Sequence, residues 1–114
     1  CPMSNEQTIA LCLRQGRIAP RLDHPEILAV YTLDENLQVL KRREHPVQHL
    51  NRVQICNLLS ALHVQLVICG GILQECRHIL SRSNILCLDN IIGSEDLALV
   101  HYQQGRLQSG MVLD

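Results

Sequence analysis

Apolar residues in this chain fall into short runs separated by turn-forming clusters. Thr8-Ile9-Ala10-Leu11-Cys12-Leu13 is almost continuously apolar, which predicts a strand over Gln7 to Leu13 covered on both faces and central in its sheet. Gly16 to Pro25 reads as a loop, because Pro20 and Pro25 block regular helix and Arg17, Arg21 and His24 interrupt the apolar positions. Ile27 to Leu33 is a second strand. Leu37 to Arg43 is its antiparallel partner, since Asp34-Glu35-Asn36 supplies turn residues between two β-rich runs. After Pro46 the spacing becomes helical: Leu50, Val53, Cys56, Leu59 and Leu62 share one face of a helix over residues 50–62. Leu66-Val67-Ile68-Cys69 is a short buried strand that breaks at Gly70-Gly71. A second helix from Ile72 to Ser81 buries Leu73, Cys76, Ile79 and Leu80, and Ile85 to Leu88 is the next strand. After the loop Asp89 to Gly93, Ser94 caps a third helix carrying Glu95 and Asp96 in its first turn, and Gly105 ends it.

Antiparallel strands followed by alternating helix and strand imply an α/β fold, a mixed sheet with helices packed on its faces. In open sheets of this kind ligands sit beyond the carboxyl ends of the parallel strands. The loops starting at Gly16, Gly70 and Asp89 are expected to meet there. At Gly70-Gly71 the missing Cβ atoms let backbone N–H groups approach a ligand at the start of the following helix. The plain alternative is a strand-to-helix connection with glycines chosen for geometry.

The 114 residues suffice for one domain. Residues 1–6 read as a disordered N-terminal end, 7–108 as the domain and 109–114 as a C-terminal end. With no Phe or Trp and two Tyr, the core must be built from Leu, Ile, Val, Ala and Cys. A net charge of −1 gives no global electrostatic case for nucleic acid or an anionic membrane. No apolar stretch approaches the roughly 20 residues a membrane helix needs, and a soluble, cytoplasmic protein is expected. The six cysteines are irregularly spaced and read as reduced, several of them as small core hydrophobes. Without a close Cys-x-x-Cys pair, a structural zinc site is disfavoured. The basic run Lys41-Arg42-Arg43 reads as a solvated sheet edge, and the same edge is the candidate homodimer surface. His49, His63, His78 and His101 read as surface or packing residues.

Three segments together resemble the nitrogenase iron-molybdenum cofactor-biosynthesis family, the small domains related to NifX and to the carboxyl-terminal part of NifB. They are Gly16-Arg17-Ile18-Ala19-Pro20-Arg21-Leu22-Asp23, Val67-Ile68-Cys69-Gly70-Gly71-Ile72 and His101-Tyr102-Gln103-Gln104-Gly105-Arg106-Leu107. The resemblance runs from about Thr8 to Leu107. It implies a ribonuclease-H-like motif with a mixed five-stranded sheet and helices on both faces. It also implies a role in holding or carrying an iron-sulfur or iron-molybdenum cluster between donor and acceptor proteins, without catalysis. Leu73-Gln74 and Leu22 depart from the family pattern; the first narrows the glycine turn and so restricts access for a cluster.

Such clusters need soft anionic ligands, and their negative charge favours Arg and backbone N–H donors. Arg21, His24, Cys69, Gly70 and Gly71 meet those needs at the expected loop junction, with Cys69 the leading metal ligand. Cys76 is the second metal-ligand candidate, and its competing role is core packing. If the family topology holds, Cys12, Cys69 and Cys87 stand on neighbouring parallel strands, sharing a face only if the register allows. A nuclease is disfavoured, because two-metal chemistry needs carboxylates that Ile9 to Leu13 and Leu66 to Cys69 do not supply. The stronger rival is a non-enzymatic regulatory or partner-interaction module that keeps the fold without a cluster.

Overall fold

The structure, a computed structural model, describes residues 6–19, 25–72 and 74–113. The elements are β1 (Gln7–Arg14), β2 (Arg17–Ile18), β3 (Ile27–Leu33), β4 (Val39–Pro46), α1 (Arg52–Ala61), β5 (Leu66–Ile68), α2 (Gln74–Arg82), β6 (Leu86–Leu88) and α3 (Glu95–Gln103). They form one mixed sheet of order β4-β3-β1-β5-β6, with β2 paired to β1. No helix among the described residues is long and apolar enough to cross a membrane.

β1 is central, as its apolar run requires. It pairs antiparallel with β3 from Gln7↔Leu33 to Leu13↔Ile27 and parallel with β5 from Ile9↔Leu66 to Leu11↔Ile68. Alternation sends Ala10 and Cys12 to one face, where α1 and α2 cover them with Ile55, Cys56, Leu59, Cys76 and Leu80. Ile9, Leu11 and Leu13 go to the other, packing with Ala98 of α3 and with Leu113. One strand thus supplies both hydrophobic layers, which explains the unbroken apolar run from Ile9 to Leu13 between Gln7-Thr8 and Arg14.

The mixed α/β architecture agrees with the sequence expectation, but the sheet has six strands rather than five. The extra strand is β2, inside a segment read as loop. Gln15 and Gly16 adopt φ of 54° and 77°, the left-handed pair that closes a two-residue hairpin and sets Leu13 opposite Ile18. Gln-Gly is not among the strong sequence signals for that turn. The β3–β4 connection is also longer than expected. Asp34 Oδ1 accepts the N–H groups of Asn36 and Gln38 at 2.8 and 2.9 Å, and Leu37 takes φ 63°. The turn therefore absorbs Leu37 and Gln38, and β4 begins at Val39.

In α1, Asn51 and Gln54 form a reciprocal capping box, and the buried residues are Ile55, Cys56 and Leu59. The expected face included Val53, which is 40% exposed; the helix is rotated so that Ile55 takes the core position. α2 buries Cys76 and Leu80 as expected, while Leu73 lies outside the described residues.

The basic edge has a structural task. Arg42 of β4 donates to Glu95 through Nε at 2.9 Å and Nη2 at 3.1 Å, to Tyr31 Oη at 3.1 Å, and to Glu44 at 2.6 Å. Tyr31 Oη donates to Glu95. Glu95 sits in the first turn of α3, where helix N–H groups favour its charge. The cluster fastens α3 to the antiparallel half of the sheet. Arg42→Ala should lower the free energy of unfolding by about 1–2 kcal/mol, measured by urea titration, whereas Arg43→Ala on the same strand should cost less than about 0.5 kcal/mol.

Candidate functional site at the carboxyl ends of the parallel strands

The three expected segments do converge. Ile18 N–H donates to the Gly93 carbonyl at 2.9 Å, and Glu95 N–H to the Gly16 carbonyl at 3.2 Å. Beyond β5, Asn90 N–H donates to the Gly70 carbonyl at 2.8 Å and Ile91 N–H to the Cys69 carbonyl at 3.1 Å. The loop after β6 therefore bridges the ends of β1 and β5. Its backbone is tightly specified: Asn90 has φ 57° and Gly93 φ 153°, and a Cβ on Gly93 would lie 2.7 Å from the Leu113 Cβ.

Asp89, the first residue past β6, is a hub that sequence reading identified only as a loop start. It is buried, accepts from the Arg77 guanidinium of α2, and receives the Gly110 N–H on its carbonyl at 2.9 Å. Its own N–H donates to Ser109 Oγ at 3.2 Å. The ion pair joins α2 to the junction. A single Asp after a strand carries no sequence signal of a partner twelve residues earlier.

Of the expected site residues, Gly70 is buried and Gly71 half-buried at the junction. Arg21 and His24 lie outside the described residues, as does Leu22. Cys69 directly follows β5, and its side chain belongs to the buried layer between the sheet and α1 and α2, as does that of Cys76. His49, His63 and His78 are exposed, and His101 Nδ1 hydrogen-bonds the Leu97 carbonyl within α3 at 2.8 Å. Among the described residues no three His, Cys, Asp or Glu side chains are grouped so as to hold a metal ion.

Register answers where the thiols face. Ala10 pairs with Val67, and Val67 with Cys87, so Cys12, Cys69 and Cys87 project to the same side. Cys56 and Cys76 meet them from the helices. All five are free thiols, four buried and Cys87 half-buried. Burial pushes the Cys12 thiol far above its ordinary value and that of Cys56 up to about 12. Cys69 and Cys87 lie with Sγ atoms 3.6 Å apart. Contact with Cys87 and burial raise the Cys69 thiol. The same contact lowers that of Cys87, against burial and Asp89 and with help from Arg77.

The class defined is a mixed α/β domain with a loop junction at the ends of its parallel strands. No protein-family model matches the chain, and no characterised protein matches it in sequence. Solved structures do share the fold. A protein named PH0822 superposes with a TM-score of 0.83 at 10% identity, over 90% of this chain and 94% of that one. A Methanocaldococcus jannaschii protein named "putative dinitrogenase" gives 0.76 at 14% identity, over 90% and 93%. The apo form of the orange protein from Desulfovibrio gigas gives 0.74 at 14% identity, over 90% and 92%. At these identities the likeness is one of fold.

Two outcomes follow from this geometry. Gly93→Ala should destabilise the protein by about 2 kcal/mol or more, through strain and the Leu113 clash, read as a lowered urea midpoint. Thiols whose folded pKa is raised, together with Tyr31, which burial and Glu95 push up to about 12, stabilise the fold while protonated in both states. Their contribution is complete below the ordinary thiol value and is lost as pH rises through the folded values. Stability should hold from pH 7 to 8 and fall from about pH 9 to 12; Tyr31→Phe should make the upper part of that fall shallower.

Proposed function

We propose that this protein is a non-enzymatic binding or carrier protein for an iron-sulfur or molybdenum-containing metallocluster, related to nitrogenase cofactor biosynthesis. It would receive the cluster from a donor protein and pass it to an acceptor. The observation that carries the reading is the hydrogen-bonded convergence of the Gly16, Gly70 and Asn90 segments at the carboxyl ends of β1, β5 and β6. That is where α/β folds of this construction take ligands. The strand path β4-β3-β1-β5-β6 supports the ribonuclease-H-like motif that the sequence resemblance implies, and one of the fold relatives carries the name "putative dinitrogenase".

The chemistry at the junction favours hydrogen-bonded rather than thiolate-ligated cargo. Cys69 and Cys76 are both fully buried, and the contact with Cys87 and burial raise the Cys69 thiol above its ordinary value. A polyanionic cluster would instead be held by backbone N–H groups around Gly70 and Gly71 and by the side chains of Arg21 and His24. The rival reading, a partner-interaction module without a cluster, draws on the lack of a metal-ligand group among the described residues. It also draws on the exposed, bridged pair Ile92 and Val112. Self-association through β4 would have to bring Lys41 and Arg43 against a second copy, which their like charges oppose.

Anaerobic incubation with an iron-sulfur-molybdenum cluster donor, followed by metal analysis and absorption spectroscopy, tests the proposal. Wild type and Cys69→Ala should both retain stoichiometric metal, while Arg21→Ala combined with His24→Ala should retain at least about tenfold less. Loss in Cys69→Ala alone, with the fold intact, would restore direct thiolate ligation. No retention by wild type would transfer the assignment to the interaction module.

A further inference from the structure

Cys69 and Cys87 differ in a way that packing alone does not require. Cys69 is fully buried at the end of β5. Cys87, on the neighbouring edge strand β6, is half-buried and borders an open depression of about 350 Å³ lined by Arg77, Ser81, Asn84, Ile85, Leu86 and Cys87. The two sulfurs are 3.6 Å apart. Arg77 spans the same wall, its guanidinium paired with Asp89 directly after β6. Three features coincide: a thiol that solvent reaches, a second thiol in contact behind it, and a guanidinium beside the opening.

We propose that Cys87 and Cys69 form a peroxide-reactive dithiol, with Cys87 the thiol that attacks the peroxide, Cys69 the resolving thiol, and hydrogen peroxide or a small hydroperoxide entering through the β6–α2 depression. This goes beyond the carrier reading and does not depend on it. In the first step the Cys87 sulfur attacks one peroxide oxygen and the O–O bond breaks. The Cys87 proton goes to the departing oxygen, leaving water, or an alcohol from an alkyl hydroperoxide, and a Cys87 sulfenic acid. In the second step the Cys69 sulfur attacks the Cys87 sulfur, the S–O bond breaks, and hydroxide leaves as water with the Cys69 proton. The balance is two thiols and one peroxide giving one disulfide, one water and one water or alcohol; two electrons pass from the sulfurs to the peroxide. Closure requires the sulfurs to approach to about 2.0 Å, within reach of local movement of the short edge strand β6.

Cys12, Cys56 and Cys76 are internal controls, being fully buried in the same layer. Folded full-length protein in a Cys1→Ser background is treated with equimolar hydrogen peroxide, quenched with an alkylating agent and mapped by tryptic digestion and tandem mass spectrometry. Arg77 and Arg82 separate the two cysteines into different peptides. The expected product is a Cys69–Cys87 cross-linked peptide pair, reversed by a thiol reductant, forming at least about tenfold faster than any oxidation of Cys12 or Cys56. In Cys69→Ser, dimedone should trap a sulfenic acid at Cys87. Oxidation of Cys87 no faster than of Cys12 and Cys56 in wild type would overturn the proposal, and so would a persistent sulfenic acid without cross-link. The wild-type result stands without the variant, so a folding defect in Cys69→Ser does not decide the outcome.

Discussion

Everything in this fold hangs on β1 being buried on both sides. The run Ile9 to Leu13, covered by helices on one face and by α3 and Leu113 on the other, has no solvent-facing positions. Its sequence must be apolar at successive rather than alternate residues. The two layers then share one wall: Cys12 and Ala10 look toward α1 and α2, and Leu11 and Ile9 toward α3. A slip of one residue in the β1–β5 register would exchange the two layers and put side chains of the wrong volume in each. The antiparallel β3 partner, matched over seven residue pairs, is what makes that slip costly.

The second constraint is volume. With no Phe or Trp in the chain, the space between sheet and helices is filled by branched aliphatics and by thiols. Cys12, Cys56, Cys69 and Cys76 are fully buried in one layer. A thiol here is a small hydrophobe with a weak hydrogen bond to offer, and burial keeps the proton on it. The same layer ends at the β6 edge, where α2 does not cover Cys87 completely. The chemical difference between Cys87 and its neighbours comes from where the helix layer stops.

The sequence made β1, β3, the helix cap at Ser94, and the meeting of three loops legible, because each depends on local composition or on a general rule of α/β sheets. Three other features were not legible, for distinct physical reasons. β2 depends on Gln15 and Gly16 taking left-handed backbone, which Gln disfavours and only the following pairing of Ile18 secures. The rotation of α1 that buries Ile55 in place of Val53 was hidden because both choices give apolar residues at helical intervals; packing against the sheet decides between them. The facing of Cys12, Cys69 and Cys87 turned on the register Ala10↔Val67↔Cys87, a relation between distant segments that no local pattern encodes.

Register also divides the roles of two consecutive residues. The side chain of Cys69 belongs to the thiol layer, while its carbonyl, like that of Gly70, accepts a hydrogen bond from the loop after β6. Both carbonyls are therefore engaged by backbone N–H groups of that loop. On the carrier proposal, what the junction offers an incoming group is backbone N–H donors at Gly70 and Gly71, which suit an anion with many acceptor atoms. The buried thiols contribute to that offer only by fixing the strand ends, whereas Cys87 lies one strand position nearer the open edge and meets solvent through a different opening. On the two proposals made above, fold maintenance, anion reception and thiol chemistry would use separate parts of the same pair of parallel strands, so substitutions at Cys69, Gly70 and Cys87 should perturb different properties despite their proximity.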